Sequence, residues 1–485
     1  MAGPPPSAAA VMDFLTKGRT GEARVAMTAL AKARPRDAQT WICAAWVEHE
    51  SGNIAGMQDA IERATRLNAQ PVLLDILRAT AARAEGDMDE AISRARRAAD
   101  AGPGPNRQMA LTILGDALFL ADRMDELAAV LESSPELRQE PRGQLLLSRV
   151  LRKAGRKDEA ELVLRALVES SAPPRLRRTA GSALAKLLDS AGRYQEAFEA
   201  AKRMHATTGA PFDTYGMVSE LEQTAQMAAR GAFRGMRRAS GPIPPTALIC
   251  ALPRSGTTLI EQMLDRHPGI RGLGESPATH EMARIFTCLG GWPAGVLAAS
   301  PADLAKIRDL YLARTRTAHA IPPEAMTLDK SVQVWRRLPA VAAALPGARL
   351  LRLRRDPRDV AISLFMQPFD AATMGWNSSL ADIKRVIQAE RTHVPVIAEA
   401  LELQMLDLRY EDFVADTRGH LQRTLDFLGL PWHEECLAPE GSKRVAITLS
   451  TEQVRRPVNA ESVGRWRNYA QHFDASWETL DPLSS

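Results

Sequence analysis

Two short stretches of this chain carry residue types suited to gripping an anion. The first, Arg254-Ser255-Gly256-Thr257-Thr258, follows the apolar run Ala247 to Leu252 and Pro253, and precedes a helical pattern that starts at Leu259. Strand, tight turn and helix in that order present several backbone N–H groups at a helix N-terminus, which binds phosphate-like anions. The second stretch ends another apolar run in Arg354, Arg355 and Arg358, with Ser363 further along the next helix. The guanidinium fork suits a phosphate, and a serine hydroxyl can complete the cage. Taken alone, this stretch is equally an exposed basic turn capped by Asp356. Taken with the first, it implies a nucleotide phosphorylated at two places.

The loop departs from the triphosphate-binding pattern GxxxxGK[ST]. Thr257 follows Gly256 where that pattern needs lysine, and Leu252 stands in place of its first glycine. This argues against an ATP-dependent kinase. Arg254 supplies positive charge from the other side of the turn. No metal-ligand spacing is present.

The elements that must hold these loops come from alternating strand-like and helical stretches. Ala247–Leu252, Ala348–Leu353 and Gln404–Leu408 read as strands between helices, which predicts a parallel sheet with helices on its faces and the ligand beyond the strands' carboxyl ends. Ahead of this α/β half, 246–485, the chain is a repeat array over 1–212. Gly18, Gly52, Gly86, Asp122, Gly155 and Gly192 open similar phrases (GRTGEA, GDMDEA, GRKDEA, GRYQEA) at steps of 33 to 37 residues. A period near ~34 with helix–turn–helix punctuation is the tetratricopeptide signature, and such helices bury their apolar stripes by stacking into an all-α solenoid. About six repeats are expected, followed by a helical linker, 213–245, that ends in Gly241-Pro-Ile-Pro-Pro245.

With 485 residues, two or more domains are expected. A net charge of +4 is too small to indicate non-specific nucleic-acid binding. Four cysteines without a CxxC pair indicate neither a zinc ribbon nor a disulfide framework. The N-terminus lacks a signal-peptide pattern, and no apolar run approaches the ~20 residues of a membrane span. A cytoplasmic location is the expectation.

Residues 246–470 resemble sulfotransferases that use 3′-phosphoadenosine 5′-phosphosulfate. The likeness is strongest to bacterial tetratricopeptide–sulfotransferase proteins, whose catalytic half is similar to tyrosylprotein sulfotransferases. It rests on PRSGTT at 253–258, Arg355 and Ser363, Arg409-Tyr410-Glu411-Asp412, the segment Ser450 to Asn459, and Arg465-Trp466. The resemblance implies a P-loop-like domain whose 5′-phosphosulfate loop is Arg254, Ser255, Gly256, Thr257, Thr258 and Leu259. It puts Arg355 and Ser363 on the 3′-phosphate, Tyr410 near the nucleotide, and Arg465 with Arg254 on the phosphosulfate. Glu275 falls on the family's catalytic base, with a structural carboxylate as the alternative and His280 and His267 as rival bases. Lys330 falls on the leaving-group lysine, though Ser331-Val332 replaces a proline-containing turn. Ser450 falls on a serine near the transferred group, and TLSTEQ also reads as a helix cap with Gln453. Gln367 stands where animal enzymes carry an arginine, a loss that Arg354 or Arg358 would have to offset.

The expected activity is sulfuryl transfer to a hydroxyl, in first place a protein or peptide tyrosine, without a metal. The repeat array is expected to engage a protein partner or the acceptor. Alternatives are a carbohydrate or small-molecule acceptor, and an interaction scaffold with an inactive transferase half.

Overall fold

The repeat turns fold as their spacing requires. Gly52 (φ 70°), Gly86 (φ 88°), Asp122 (φ 58°), Gly155 (φ 78°) and Gly192 (φ 75°) all sit in the left-handed region just after a helix. Glycine takes that conformation without a Cβ penalty, and aspartate is among the side chains that tolerate it. Gly18 lies outside the residues that this computed structural model describes, which are 6–17, 19–207, 212–241, 243–331, 333–439 and 461–480. By internal contacts the chain divides after Leu184 into two compact units.

In the first unit, each turn joins an antiparallel-type pair: Ala38–Glu50 with Ile54–Arg66, Pro71–Glu85 with Met88–Asp100, Pro105–Leu120 with Met124–Ser133, and Pro141–Lys153 with Lys157–Glu169. Prolines at the first helical position start three of these first helices, where the missing N–H costs nothing. Asn53 and Asp87 cap second helices by accepting from the Gly56 and Glu90 amides at 3.2 and 3.1 Å. Small and branched apolar residues at helical spacing, such as Met57, Ala60, Ile61 and Ala64, are buried between neighbours. Asp116 is buried and pairs with Arg83 of the preceding pair at 3.2 Å and Arg142 of the next at 2.7 Å, tying three successive repeats together.

The second unit is built on a five-stranded parallel sheet: β1 Thr246–Ala251, β2 Ile270–Gly274, β3 Met326–Asp329, β4 Arg349–Arg354 and β5 Gln404–Arg409. The order is β2-β3-β1-β4-β5, with β1 central and buried along its whole length. Ala251 pairs with Leu353 and Gly274 with Asp329, so the strands end in near register on one edge. One face packs Ile249, Leu328, Leu351 and Leu408 against Ile260, Met263 and Leu264 of helix Thr257–Asp265 and Leu421 and Leu425 of helix Thr417–Leu428. Helix Thr214–Ala229 also belongs to this unit, where Glu220 accepts from Arg336 and Arg337, each at 3.1 Å.

A buried carboxylate pins the end of β3. Asp329 accepts from the hydroxyls of Thr279 (3.1 Å), Tyr311 (3.0 Å) and Ser331 (2.6 Å) and from the Ser331 amide (3.0 Å). Burial pushes this carboxyl up, against the opposing pull of those donors. Removing the acceptor strands several buried donors at once, so Asp329→Ala is expected to destabilise the protein by about 2–4 kcal/mol. Urea denaturation checks this, and an unchanged midpoint with the same slope would remove the network from any account of the fold.

Candidate active site

The parallel sheet collects the predicted residues on its carboxyl edge. Glu275 is the first residue after β2, Lys330 the first after β3, Arg355 the first after β4 and Tyr410 the first after β5; the loop 252–256 follows β1. Equal strand ends therefore bring side chains that are far apart in sequence to one rim, where ligands of open α/β sheets bind.

The loop after β1 is tightly folded. Gly256 has φ 98°, and a Cβ there would lie 2.4 Å from the Tyr410 ring. Glycine is needed for the backbone angle and for the aromatic ring laid against it. Arg254 also takes a left-handed angle, φ 71°. Its Nε donates to Ser363 Oγ at 2.8 Å, and its carbonyl accepts from Arg355 Nη1 at 3.3 Å. The two anion stretches therefore share a wall.

One cleft is lined by Arg254, Arg355, Asp359, Ile362, Ser363, Ser462 and Arg465. Burial, and then the Arg355 and Arg465 cations, push Arg254 down to about 10. Arg355 lies 4.6 Å over the Tyr410 ring, and its buried Nε has no hydrogen-bond partner among the described residues. Three converging guanidiniums suit an anion with several oxygens. Asp359 offsets part of this charge. Its carboxylate stands 3.6 Å from Arg355 and accepts from the Gly464 and Trp466 amides at 2.8 and 2.9 Å, which fixes the late segment against the cleft.

On the same edge Lys330 is buried between two carboxylates, Glu275 at 3.2 Å and Glu261 at 3.7 Å. Glu261, itself buried, also accepts from the Gly274 amide at 2.6 Å, and the Lys330 amide donates to Gly274 O at 3.1 Å. Glu275 is about half exposed (52%), so one carboxylate of the pair reaches solvent while the other serves as a fixed counter-charge. This arrangement can take a proton at Glu275 and hold a cation beside a developing negative charge.

Residues 245–434 match the sequence model described as the sulfotransferase family. Residues 245–434 carry a sulfotransferase-family domain. Residues 76–141 match a tetratricopeptide repeat model. The chain is 26% identical over 336 residues to an uncharacterized protein of Aquifex aeolicus, covering 67% of this chain and 44% of that one. It is 27% identical over 236 residues to protein-tyrosine sulfotransferase 1 of Danio rerio, covering 46% of this chain and 65% of that one. The chain thus spans about half the length of the first relative and under two thirds of the second. A solved structure, the sulfotransferase domain from the Synechococcus PCC 7002 olefin synthase, aligns at TM-score 0.37 and 23% identity over 48% of this chain and 88% of that one.

Within the sulfotransferase domain, Ser255 and Thr258 are buried, Thr257 opens the helix and Leu259 packs on the sheet core. Ser450 and the segment to Asn459 lie outside the described residues. Of the two arginines named for offsetting Gln367, Arg354 pairs with Asp407 at 3.1 Å, and Arg358 pairs with Asp356 at 2.9 Å and lies over the Trp466 ring. Lys186 Nζ donates to Gln367 Oε1 at 3.0 Å. His267 is committed to structure: its Nδ1 accepts from the Gly269 amide and its Nε2 faces Pro431 O, both at 3.0 Å. His280 lies on helix Ala278–Gly290, where partial burial and then Arg337, Arg284 and Arg336 hold it below the ordinary imidazole value.

Three residues that sequence reasoning passed over bear on the site: Glu261, Asp359 and Asp189. Only Asp359 had a local signal, a carboxylate one helical turn past Arg355. Among the described residues no cluster of three or more His, Cys, Asp or Glu side chains could hold a metal, and no helix is long and apolar enough to cross a membrane.

Proposed function

We propose that this chain is a sulfotransferase that moves a sulfuryl group from 3′-phosphoadenosine 5′-phosphosulfate to an acceptor hydroxyl. The observation that carries the reading is the convergence of Arg254, Arg355, Ser363 and Arg465 on one cleft, on the same strand edge as the Glu275–Lys330 pair. The loop after β1 and Arg254 would hold the 5′-phosphosulfate, Arg355 and Ser363 the 3′-phosphate, and Tyr410 the nucleotide beside Gly256. Sulfated donor supplies the electrophilic sulfur. The acceptor oxygen bonds to it, the bond from sulfur to the 5′-phosphate oxygen breaks, and the acceptor proton passes to Glu275. Lys330 faces the negative charge left on that oxygen. As in phosphoryl transfer, positioning and charge stabilisation carry most of the rate.

A protein or peptide tyrosine is the proposed acceptor, supported by the name of the Danio rerio relative. The tetratricopeptide array, supported by the match over 76–141, is proposed to engage a protein partner or the acceptor itself.

Calorimetric melting of the full chain tests the donor. At a hundredfold excess over Kd, 3′,5′-bisphosphoadenosine should add about 2.7 kcal/mol of stability and raise Tm by several degrees, and ATP with magnesium should not. If neither the bisphosphate nor the sulfated nucleotide moves Tm, the proposal fails. Mass spectrometry of tyrosine peptides and of glycans incubated with the sulfated donor then decides the acceptor. A gain of one sulfuryl group on glycans alone would replace the tyrosine assignment.

A further inference from the structure

Arg465 reaches the cleft from a short 3-10 turn, Arg465–His472, and something must aim it. Its Nη2 donates to Asp189 Oδ2 at 2.6 Å. The other oxygen of Asp189 accepts from the hydroxyl of Tyr469, a buried ring one turn past Arg465 that meets Tyr194 edge-on at 5.5 Å. Asp189 is only 14% exposed, so the pair is held in a poorly solvated setting where a carboxylate–guanidinium contact is strong. One turn earlier on the same helix, Pro174–Ser190, Lys186 binds Gln367, the position that follows Ser363 by one turn. Neither Asp189 nor Lys186 falls within the matched family segment 245–434.

We propose that Asp189 is a positioning residue of the donor site: its carboxylate, braced by Tyr469, fixes the Arg465 guanidinium at the anion cleft. The inference rests on the nucleotide reading above. A long arginine that is already held loses little rotamer freedom when the anion arrives, so the gain appears as donor affinity rather than as chemical rate. The opposite role, competition of Asp189 with the anion for Arg465, predicts tighter binding on its removal.

Titration calorimetry of the full chain with 3′,5′-bisphosphoadenosine separates these. Asp189→Asn is expected to raise Kd about tenfold, raise KM for the sulfated donor similarly and leave kcat within about twofold. Asp189→Glu should recover part of the loss. In an Arg465→Ala background, Asp189→Asn should add nothing, because the two act through one contact. An unchanged or lowered Kd in Asp189→Asn, or a full further loss in the Arg465→Ala background, overturns the inference. A purely structural role would lower Tm without the KM-against-kcat split. Wild-type protein that fails to bind the bisphosphate overturns the nucleotide reading itself, whereas wild-type binding with an indifferent Asp189→Asn overturns only the positioning role.

Discussion

Glu275→Gln is expected to lower kcat for sulfuryl transfer by about 10²–10⁴-fold while donor affinity stays within threefold. The amide keeps the shape and can still accept from Lys330, but it cannot take the acceptor's proton. The fold should tolerate the change. Glu275 is about half exposed, and Lys330 retains Glu261 at 3.7 Å as a buried counter-charge. A contact of that exposure is worth at most about 1 kcal/mol. This makes Glu275 a cleaner probe than Lys330, whose removal would strand the Glu261 carboxylate in the interior and confound rate with stability. Steady-state kinetics beside bisphosphate binding decide the matter. A Glu275→Gln enzyme within threefold of wild type would move the base elsewhere on the edge.

Gly256→Ala is expected to abolish donor binding, with the bisphosphate-induced rise in Tm disappearing and Kd rising by more than a hundredfold. Two penalties coincide. At φ 98° an alanine carries backbone strain of about 1–3 kcal/mol, and its Cβ would sit 2.4 Å from the Tyr410 ring. The ring cannot yield without disturbing Arg355, which lies over it at 4.6 Å. One methyl thus displaces the loop, the aromatic wall and a cleft arginine together. Binding measured by calorimetry at matched folded fraction tests this, and a Kd within tenfold of wild type would show that the loop has room to spare.

The sequence made some of this visible and hid the rest for physical reasons. β1, β4 and β5 were legible because each carries a short cluster of apolar residues between helical stretches: Ala247 to Ala251, then Leu350, Leu351 and Leu353, then Met405, Leu406 and Leu408. β2, Ile-Arg-Gly-Leu-Gly, and β3, only four residues long, carry too little periodicity to stand out. The repeat turns were legible because left-handed backbone selects glycine, and Asp122 kept the register where glycine was absent. Within the site, residues in strand-end loops announced themselves by type. Glu261 did not, because on helix Thr257–Asp265 it looks like any polar residue until β2 and β3 bring Gly274 and Lys330 to it. Asp189 is harder still, since its partner Arg465 stands far along the chain and nothing local distinguishes it from a solvated helix carboxylate. The surroundings of Gln367 were hidden in the same way: the neighbouring arginines pair with nearby carboxylates, and a cation reaches that position from Lys186.

The strand order also sets a timetable for synthesis. β1 is the first strand made and the one at the centre, yet its partners β3 and β4 begin at Met326 and Arg349. At translation speeds of roughly 5–20 residues per second, about a hundred further residues take on the order of 5–20 s to emerge. Until Met326–Asp329 is made, Thr246–Ala251, buried along its whole length in the finished fold, has neither neighbour to pair with, and until Arg349–Arg354 follows it has only one. A nascent chain paused before β4 holds its central strand half covered, and the Arg254 loop has no Arg355 to close it.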